Sequence, residues 1–583
     1  EEESKRLRAY ILPSDSGQTY REVERSLTQT YSHNLNLDLE WQIDSNHAIE
    51  FDPNFSFDRY SRINNTASQT RQSDQLLNSN VRQSSFMEDS WSLNGELLYK
   101  YAFPKKGRTF STSLEYDNEH SDASESLDAL GAFRNSENDT ISQITRSSGR
   151  SPVLSGELVF TEPLGEKGLL EMRYEVERDR QNDDRRTFDL AASDADEVLD
   201  STLSNVFVSD VYTQEYSLGY QWEAEETWSF STRVGGQHVL IDNLQELPNP
   251  LDQERRYNAL LPYAALFYEP EETDFRLRLR YRTSTDVPSI GQLQEVIFNT
   301  NPLLLSTGNP DLEMSYTHDI SLRIIGNDPR NSNGFFSYAA VSSTERFIGT
   351  STRIASSSDP VPGLQPGQQI TRPVNLDGNW AARLFAYYGF PIWKGKLKGS
   401  ARMGLRYEEL PSLINLEENI ARTFSPGISG GLASNISKAI DFNLSGGVNF
   451  GQIRNSLNDA ADNDFRTWNG TANIKYRPEN SRFTFETDLT YIANFGLSDD
   501  FSQQFTVLNA GIGYKLLKSK RLEAKLWMFD ILGQNTNVNR NFTSTYTEDI
   551  EQLVLSRYTM FSLTYRFGKF DEKRGRSGRG RGR

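Results

Sequence analysis

Leu35, Leu37, Leu39, Trp41 and Ile43 alternate with Asn34, Asn36, Asp38, Glu40 and Gln42. A period of two sends successive side chains to opposite sides, so this run is a strand with one apolar and one polar face, and no helix fits it. After the polar link Asp44–His47 the alternation resumes with Ile49, Phe51, Phe55 and Phe57, and then with Trp91, Leu93, Leu97, Tyr99, Tyr101 and Phe103. Later examples are Leu170, Met172, Tyr174 and Val176; Phe275, Leu277, Leu279 and Tyr281; Phe483, Phe485, Leu489 and Tyr491; and Phe561, Leu563, Tyr565 and Phe567. We count about 21 such runs, each of the length that crosses a bilayer as a tilted strand.

The solvent on each face decides what these strands build. Aromatic residues make up 11% of the chain, yet mean hydropathy is -0.64. The longest apolar runs, such as Leu303-Leu304-Leu305, fall far short of the ~20 residues of a membrane helix. In hydrocarbon every backbone N–H and C=O needs an internal partner, so a sheet spans a bilayer only by closing on itself. Leu, Phe and Tyr then face lipid while Asp, Glu, Arg and Asn face a wet interior, which reconciles abundant rings with a negative hydropathy. A propeller would repeat about every 40–50 residues, and no repeat stands out. The expected fold is all-β, a large antiparallel transmembrane barrel.

Link lengths give the barrel a direction. Short links at Asp44–His47, Pro104–Gly107, Leu164–Gly168, Glu223–Glu226, Pro270–Thr273, Ser434–Lys438, Pro478–Ser481 and Lys518–Arg521 alternate with long polar ones near 61–88, 120–150, 181–209, 241–256, 286–314, 347–372 and 533–552. Short periplasmic turns and long external loops mark an outer-membrane barrel. In that orientation the first and last runs both descend, which makes the number odd, whereas single-chain bacterial barrels are even. One ascending strand is therefore expected before residue 1, for about 22 in all, the size of plugged outer-membrane transporters. Residues 1–30 are expected as the external loop after that strand, 31–570 as the barrel, and 571–583 as a basic disordered periplasmic tail. Tyr99, Tyr101, Trp222, Trp228, Tyr268, Trp393, Tyr476 and Tyr514 are expected in the interfacial girdles.

Several stretches carry a resemblance. Tyr101-Ala-Phe-Pro-Lys-Lys-Gly-Arg-Thr-Phe-Ser111 resembles an early turn, and Pro288-Ser-Ile-Gly-Gln-Leu-Gln294, Asn301-Pro302 and Gly308-Asn-Pro-Asp-Leu-Glu313 with Tyr316 and His318 resemble the long mid-barrel loop, of TonB-dependent receptors, particularly the outer-membrane β-barrel family of Bacteroidota. Phe529-Asp-Ile-Leu-Gly-Gln-Asn535, Ser556-Arg-Tyr558 and Leu563-Thr-Tyr-Arg-Phe-Gly568 look like its last two strands. The resemblance spans roughly residues 28–570. It implies energised import of a bulky solute, an N-terminal plug, a TonB system as partner and a SusD-like surface lipoprotein lid; no plug or TonB box is visible here. The alternative is a non-transporting barrel, a scaffold or assembly component of a complex with surface lipoproteins.

Candidate residues follow from position. Arg276, Arg278, Arg280 and Arg282 alternate with Phe275, Leu277, Leu279 and Tyr281, so four guanidiniums share the polar face. They read either as a solvated wall paired with acids of neighbouring strands or of a plug, or as a basic track for anionic groups on a passing solute. Gln292, Gln294, Asn299, Asn301, Asn309 and Asp311 of the mid-barrel loop are candidates for ligand or partner contact. Asp194, Asp196, Glu197 and Asp200 offer a weak Ca²⁺ site without EF-hand spacing.

Other chemistry is excluded or weak. With no cysteine, disulfides, thiolate catalysis and Cys-based metal sites are out. The histidines 33, 47, 120, 238 and 318 show no paired spacing, so no metal site or cofactor is expected. Gly427-Ile-Ser-Gly-Gly431 fits G-x-S-x-G but lies in a strand pattern and not at a strand-to-helix turn. No enzyme is expected. The net charge of -18 and pI of about 5.0 argue against nucleic acid as principal ligand, and the arginine-glycine tail is expected to meet lipid headgroups or a partner.

Overall fold

The computed structural model describes residues 2–566 apart from 12–16, 73–74, 135–137, 191–196, 225–226, 272, 329–330, 356–360, 435, 438, 460–461, 497–503, 518–520 and 544. The expected tail at 571–583 lies outside the described residues. All strands join in one sheet of 29. Its first part is β1 (Glu2–Tyr10), β2 (Gln18–Asn36), β3 (Leu39–Gln42), β4 (His47–Phe51), β5 (Asn54–Gln72), β6 (Gln75–Ala102), β7 (Thr109–Phe133), β8 (Asp139–Leu164), β9 (Gly168–Asp189), β10 (Val198–Ala224), β11 (Trp228–Leu247), β12 (Leu251–Tyr268) and β13 (Asp274–Asp286).

A loop with one helical turn, α1 (Ile290–Leu293), and β14 (Leu304–Ser306) leads to β15 (Ser315–Asp328) and β16 (Asn333–Glu345). The hairpin β17 (Phe347–Ile354) and β18 (Gln369–Leu376) follows. The rest is β19 (Asn379–Ile392), β20 (Leu397–Ile414), β21 (Glu417–Ser434), β22 (Ile440–Asn455), β23 (Asn463–Tyr476), β24 (Phe483–Phe495), β25 (Gln504–Lys515), β26 (Leu522–Phe529), β27 (Asn537–Phe542), β28 (Tyr546–Leu553) and β29 (Tyr558–Tyr565).

Six strands, β1, β14, β17, β18, β27 and β28, stand outside the antiparallel wall, while β2 with β3 and β4 with β5 each form one interrupted wall strand; that leaves 21 wall strands of the 29. Each is laddered to its sequence neighbour in the wall, from β2–β5 round to β26–β29. The alternation sets the faces. Leu218 on β10, Leu279 on β13 and Ile320 on β15 are 54%, 42% and 53% exposed outward, while the intervening Ser217, Arg280 and Ser321 turn inward. All eight anticipated girdle aromatics lie at the turn end, where the rings of Trp228 and Tyr268 meet at a tilt with centroids 4.3 Å apart.

The wall is uneven in height. Strands β6, β7, β8, β9 and β10 run 28, 25, 26, 22 and 27 residues, but β13, β15 and β16 only 13, 14 and 13, against about 9–11 needed to cross. Hence the links expected near 61–88, 120–150, 181–209 and 241–256 are for the most part ladders that rise beyond the membrane. Water bathes both faces there, so stretches such as Gln83-Ser84-Ser85 keep their backbone pairing and lose the apolar alternation. The expected loop at 1–30 is likewise mostly the hairpin of β1 and β2.

Closure is also uneven. At the loop end β1 is laddered to β2 on one side and to β28 on the other. Below it, among the described residues, Leu27–Gln42 is laddered only on its β4–β5 side and β29 only to β26. Leu35 and Phe561 on these two edges are 69% and 66% exposed.

Candidate functional site

The lower side of the wall is bridged by its own loops. Residues 287–314 leave β13, and the chain forms α1, folds back through the Phe298–Ser306 bridge and returns to β15. Ile290, Leu293, Val296, Leu303 and Leu312 are buried in this strap. β14 adds to β18 in parallel, tying the strap to the β17–β18 hairpin. Gly308 is required by this packing, since a Cβ there would stand 2.2 Å from the Gln294 carbonyl oxygen.

The strap reaches across to the tall wall. Asn205 on β10 donates to Gln294 at 2.7 Å, Asn299 donates to Gln143 on β8 at 3.2 Å, and Arg82 on β6 donates to the Thr300 carbonyl at 3.1 Å. Asn301 donates to the Tyr20 hydroxyl on β2 at 3.1 Å. Tyr257 on β12 donates to the Leu312 carbonyl at 3.2 Å; beside the strap, Asn78 on β6 donates to the Pro366 carbonyl of the β17–β18 connection at 2.9 Å. Beneath lies an apolar cluster of Tyr10, Ile11, Tyr20, Phe133, Leu303, Ile354 and Ile414, drawn from around the ring.

Charge is confined around this latch. Glu22 accepts from Tyr20 at 2.5 Å and from Arg6 at 2.7 Å. Burial, with the Glu22 carboxylate beside it, pushes the Tyr20 phenol up to about 12. Higher on the tall wall, burial raises Glu125 and Asp183 despite the nearby Arg185, whose own pKa burial lowers. The Arg185 guanidinium lies 5.2 Å from the Phe298 ring centroid of the strap.

The loop residues anticipated as ligand contacts are thus brought together, but most of their polar atoms hold the strap. Gln292 accepts from the Ser289 N–H at 2.9 Å. Gln294, Asn299 and Asn301 bond the wall, and Asn309 donates to the Pro373 carbonyl while accepting from Arg372 at 2.7 Å. Asp311 alone of the six is exposed. Of the weak Ca²⁺ set, Asp194 and Asp196 lie outside the described residues; Glu197 pairs with Arg146 at 2.6 Å and Asp200 caps Thr202 at 2.8 Å. Among the described residues no group of metal-ligating side chains assembles.

Below the strap, Arg276, Arg278, Arg280 and Arg282 all face the lumen from β13. Both ends of the ladder are paired: Arg276 with Glu269 at 2.6 Å and Arg282 with Asp319 at 3.4 Å. The middle differs. Arg278 lies over Phe267, 4.7 Å from its centroid, and Arg280 is in register with Ala265 and Ser321. Neither forms an ion pair among the described residues. Arg233 over Tyr263, Arg323 over Phe336 and Arg402 over Tyr387 extend the same guanidinium-on-ring surface.

Facing inward from β6 to β10 is an acidic arc that sequence reasoning missed. Glu96 is in register with Glu115, and Glu157 with Glu175 and Glu215. Its signal was legible at Glu171, Arg173, Glu175, Glu177 and Asp179, where every second residue is charged. Arg173 answers part of it, 2.7 Å from Glu157. Ser429 of the G-x-S-x-G stretch lies mid-strand in β21, paired with Arg402 and Gly447.

Comparison with known proteins agrees with a large barrel. The chain matches the outer membrane protein beta-barrel family over residues 101–565. No curated protein matches it. Similar solved structures include the siderophore receptor PirA from Pseudomonas aeruginosa, at 10% identity and TM-score 0.37 over 96% of this chain and 80% of that one. The copper transporter OprC is 8% identical, with TM-score 0.46 over 96% and 80%. The Serratia marcescens hemophore receptor HasR, solved with its hemophore HasA and heme, is 10% identical, with TM-score 0.45 over 96% and 81%.

Proposed function

The chain belongs to the outer membrane protein beta-barrel family and is a multi-strand barrel of the outer membrane, and from that premise we propose that it admits a bulky solute across that membrane in the manner of an energised receptor. One observation carries the reading: a lumen lined by Arg278, Arg280 and the ring-stacked Arg233, Arg323 and Arg402 lies beneath a mouth bridged by a hydrogen-bonded strap. A wall that served only as scaffold has no need of inward-facing guanidiniums that form no ion pair among the described residues. Displacing the strap opens the mouth, and the basic surface then favours anionic groups on the entering solute while the acidic arc opposes them.

In this reading Leu27–Gln42 and Tyr558–Tyr565 border one slit, and a single ascending strand leading into β1 ladders both edges, bringing the wall to an even number. A plug, the TonB system and a SusD-like lid are the partners the reading calls for. Its test is depletion of solutes from culture medium by cells with and without the gene, each with and without a protonophore. Import predicts that at least one bulky solute stays in the medium when either the gene or the proton gradient is lost. Identical depletion by all four cultures contradicts it.

A further inference from the structure

On the outward faces of β8 and β9 the apolar alternation ends in arginine. Reading upward from the turn end, Leu158 and Leu154 give way to Pro152 and Arg150 on β8, and Met172, Tyr174 and Val176 give way to Arg178 and Arg180 on β9. The register sets Arg178 beside Leu154 and Tyr212, Arg180 beside Asp210, and Arg150 beside His120 and Asn182. Three guanidiniums from two adjacent strands therefore stand together just above the lipid-facing band. They do so on the side of the long links, at the level where the outer leaflet carries its headgroups.

Their charge is only partly answered. Arg178 donates to Asp210 at 2.9 Å, and Arg180 lies 3.9 Å from the same carboxylate. Arg150 donates through Nε to the neutral Asn118 at 3.3 Å, and Arg180 through Nε to Asn182 at 3.5 Å. Among the described residues Asp210 is the one carboxylate within ion-pair distance of the three, since the nearby Asp122 is turned to His120 at 3.2 Å. Other outward arginines above the band are each matched. Arg59 holds Asp89 through two bonds of 2.6 and 2.9 Å, Arg422 holds Glu409 at 3.1 Å, and Arg454 holds Asp464 at 2.9 Å. Higher on β8 and β9, Arg146 pairs with Glu197 and Arg186 with Asp184.

The three side chains are also steadied where they stand. Arg178 lies over the Tyr212 ring, 5.1 Å from its centroid, and Arg150 and Arg180 are tethered by Nε, which turns the Nη ends of each fork outward. That fork fits phosphate oxygens. Directly beneath, Leu154, Tyr174, Val176 and Tyr216 are all exposed on the same face. Cations set over an apolar surface suit a molecule with an anionic head and a hydrocarbon body, whereas a free anion in solution gains nothing from the surface below.

We propose that the outward face of β8 and β9 is a seat for a phosphate-bearing lipid of the outer leaflet, its headgroup gripped by Arg150, Arg178 and Arg180 and its chains laid along Leu154, Tyr174, Val176 and Tyr216. A lipid held there ties the tall wall to the headgroup layer at the point where the wall leaves the membrane. The seat lies outside the lumen and does not depend on the import reading.

Detergent-purified protein, stripped of lipid in an uncharged detergent, is titrated calorimetrically with dioleoylphosphatidic acid and with dioleoylphosphatidylcholine in micelles of that detergent, and with inorganic phosphate at matched ionic strength. Phosphatidic acid should bind saturably and about tenfold or more tightly than either of the others. Arg150→Gln, Arg178→Gln and Arg180→Gln together should abolish that preference. Arg59→Gln, which removes a matched arginine on β5, should leave it unchanged. Arg150→Gln with Arg180→Gln keeps the Arg178–Asp210 pair, so it serves if the triple variant fails to fold, and it should weaken phosphatidic acid binding several-fold. Absent binding, or equal affinity for the two lipids, overturns the proposal. So does inorganic phosphate binding as tightly as phosphatidic acid, which would mark a site for a free anion, or an equal loss from Arg59→Gln, which would reduce the effect to overall charge.

Discussion

Asn301, at the far reach of the strap, donates its carboxamide to the Tyr20 hydroxyl at 3.1 Å, joining positions 281 apart in sequence and the strap to the wall strand β2. Tyr20 passes its own proton donation to Glu22, so the latch is a relay from strap to wall to carboxylate. Tyr20 is wholly buried, and a hydrogen bond formed out of water is one whose loss is felt.

A double-mutant cycle on Asn301→Ala and Tyr20→Phe measures that relay. Each change should raise strap hydrogen exchange a few-fold to about tenfold, with a coupling of about 0.5–1.5 kcal/mol between them. Independent effects that simply add would place the latch elsewhere.

The same relay sets an alkaline limit. A phenol raised from about 10 to about 12 favours its protonated form in the folded state. Its contribution is fully present below about pH 10 and is lost as pH rises through about 12. Tyrosinate absorbance of the native protein minus that of Tyr20→Phe should show a midpoint near 12, and a midpoint near 10 would mean that Tyr20 is solvated.

How much of this was legible in the sequence depends on the solvent at each height. Within the bilayer Leu218, Leu279 and Ile320 meet lipid, so alternation alone gave the strands, their faces and the short turns. Above it both faces of Gln83-Ser84-Ser85 meet water, so nothing in the side chains distinguished a ladder from a loop. The strap contacts were hidden for another reason: Gln294 with Asn205 and Asn299 with Gln143 join residues far apart in the chain, and an amide carries no mark of whether its partner is a ligand or a neighbouring strand. The acidic arc was written plainly and overlooked in favour of the arginines.

Face-dependent substitution checks the wall. Leu489→Arg, outward on β24, should cost about 2–4 kcal/mol near the midplane, and Thr490→Arg, inward, much less. Glu486→Arg, though also inward, is not a neutral control, because Glu486 holds both Lys475 and Lys525. Equal costs at 489 and 490 in a lipid-refolding titration would reverse the assignment of faces.

The arginine ladder should divide in function as it does in pairing. Arg278→Gln with Arg280→Gln should shift the reversal potential of the barrel in planar bilayers under a KCl gradient toward cation preference. Arg276→Gln should change it little, since the highly exposed Arg276–Glu269 pair already cancels locally. Equal shifts from both would show that pairing with Glu269 does not matter.

The most direct measurement labels single cysteines placed one at a time from Asp274 to Asp286 in the cysteine-free chain, in native outer membranes, with a membrane-impermeant and a lipid-soluble maleimide. A closed wall with oil outside and water inside predicts strict alternation: positions 276, 278, 280 and 282 react with the water-borne reagent, and 275, 277, 279 and 281 with the lipid-soluble one. A profile without a period of two, or with the two sets exchanged, would contradict the barrel and the transport reading built on it.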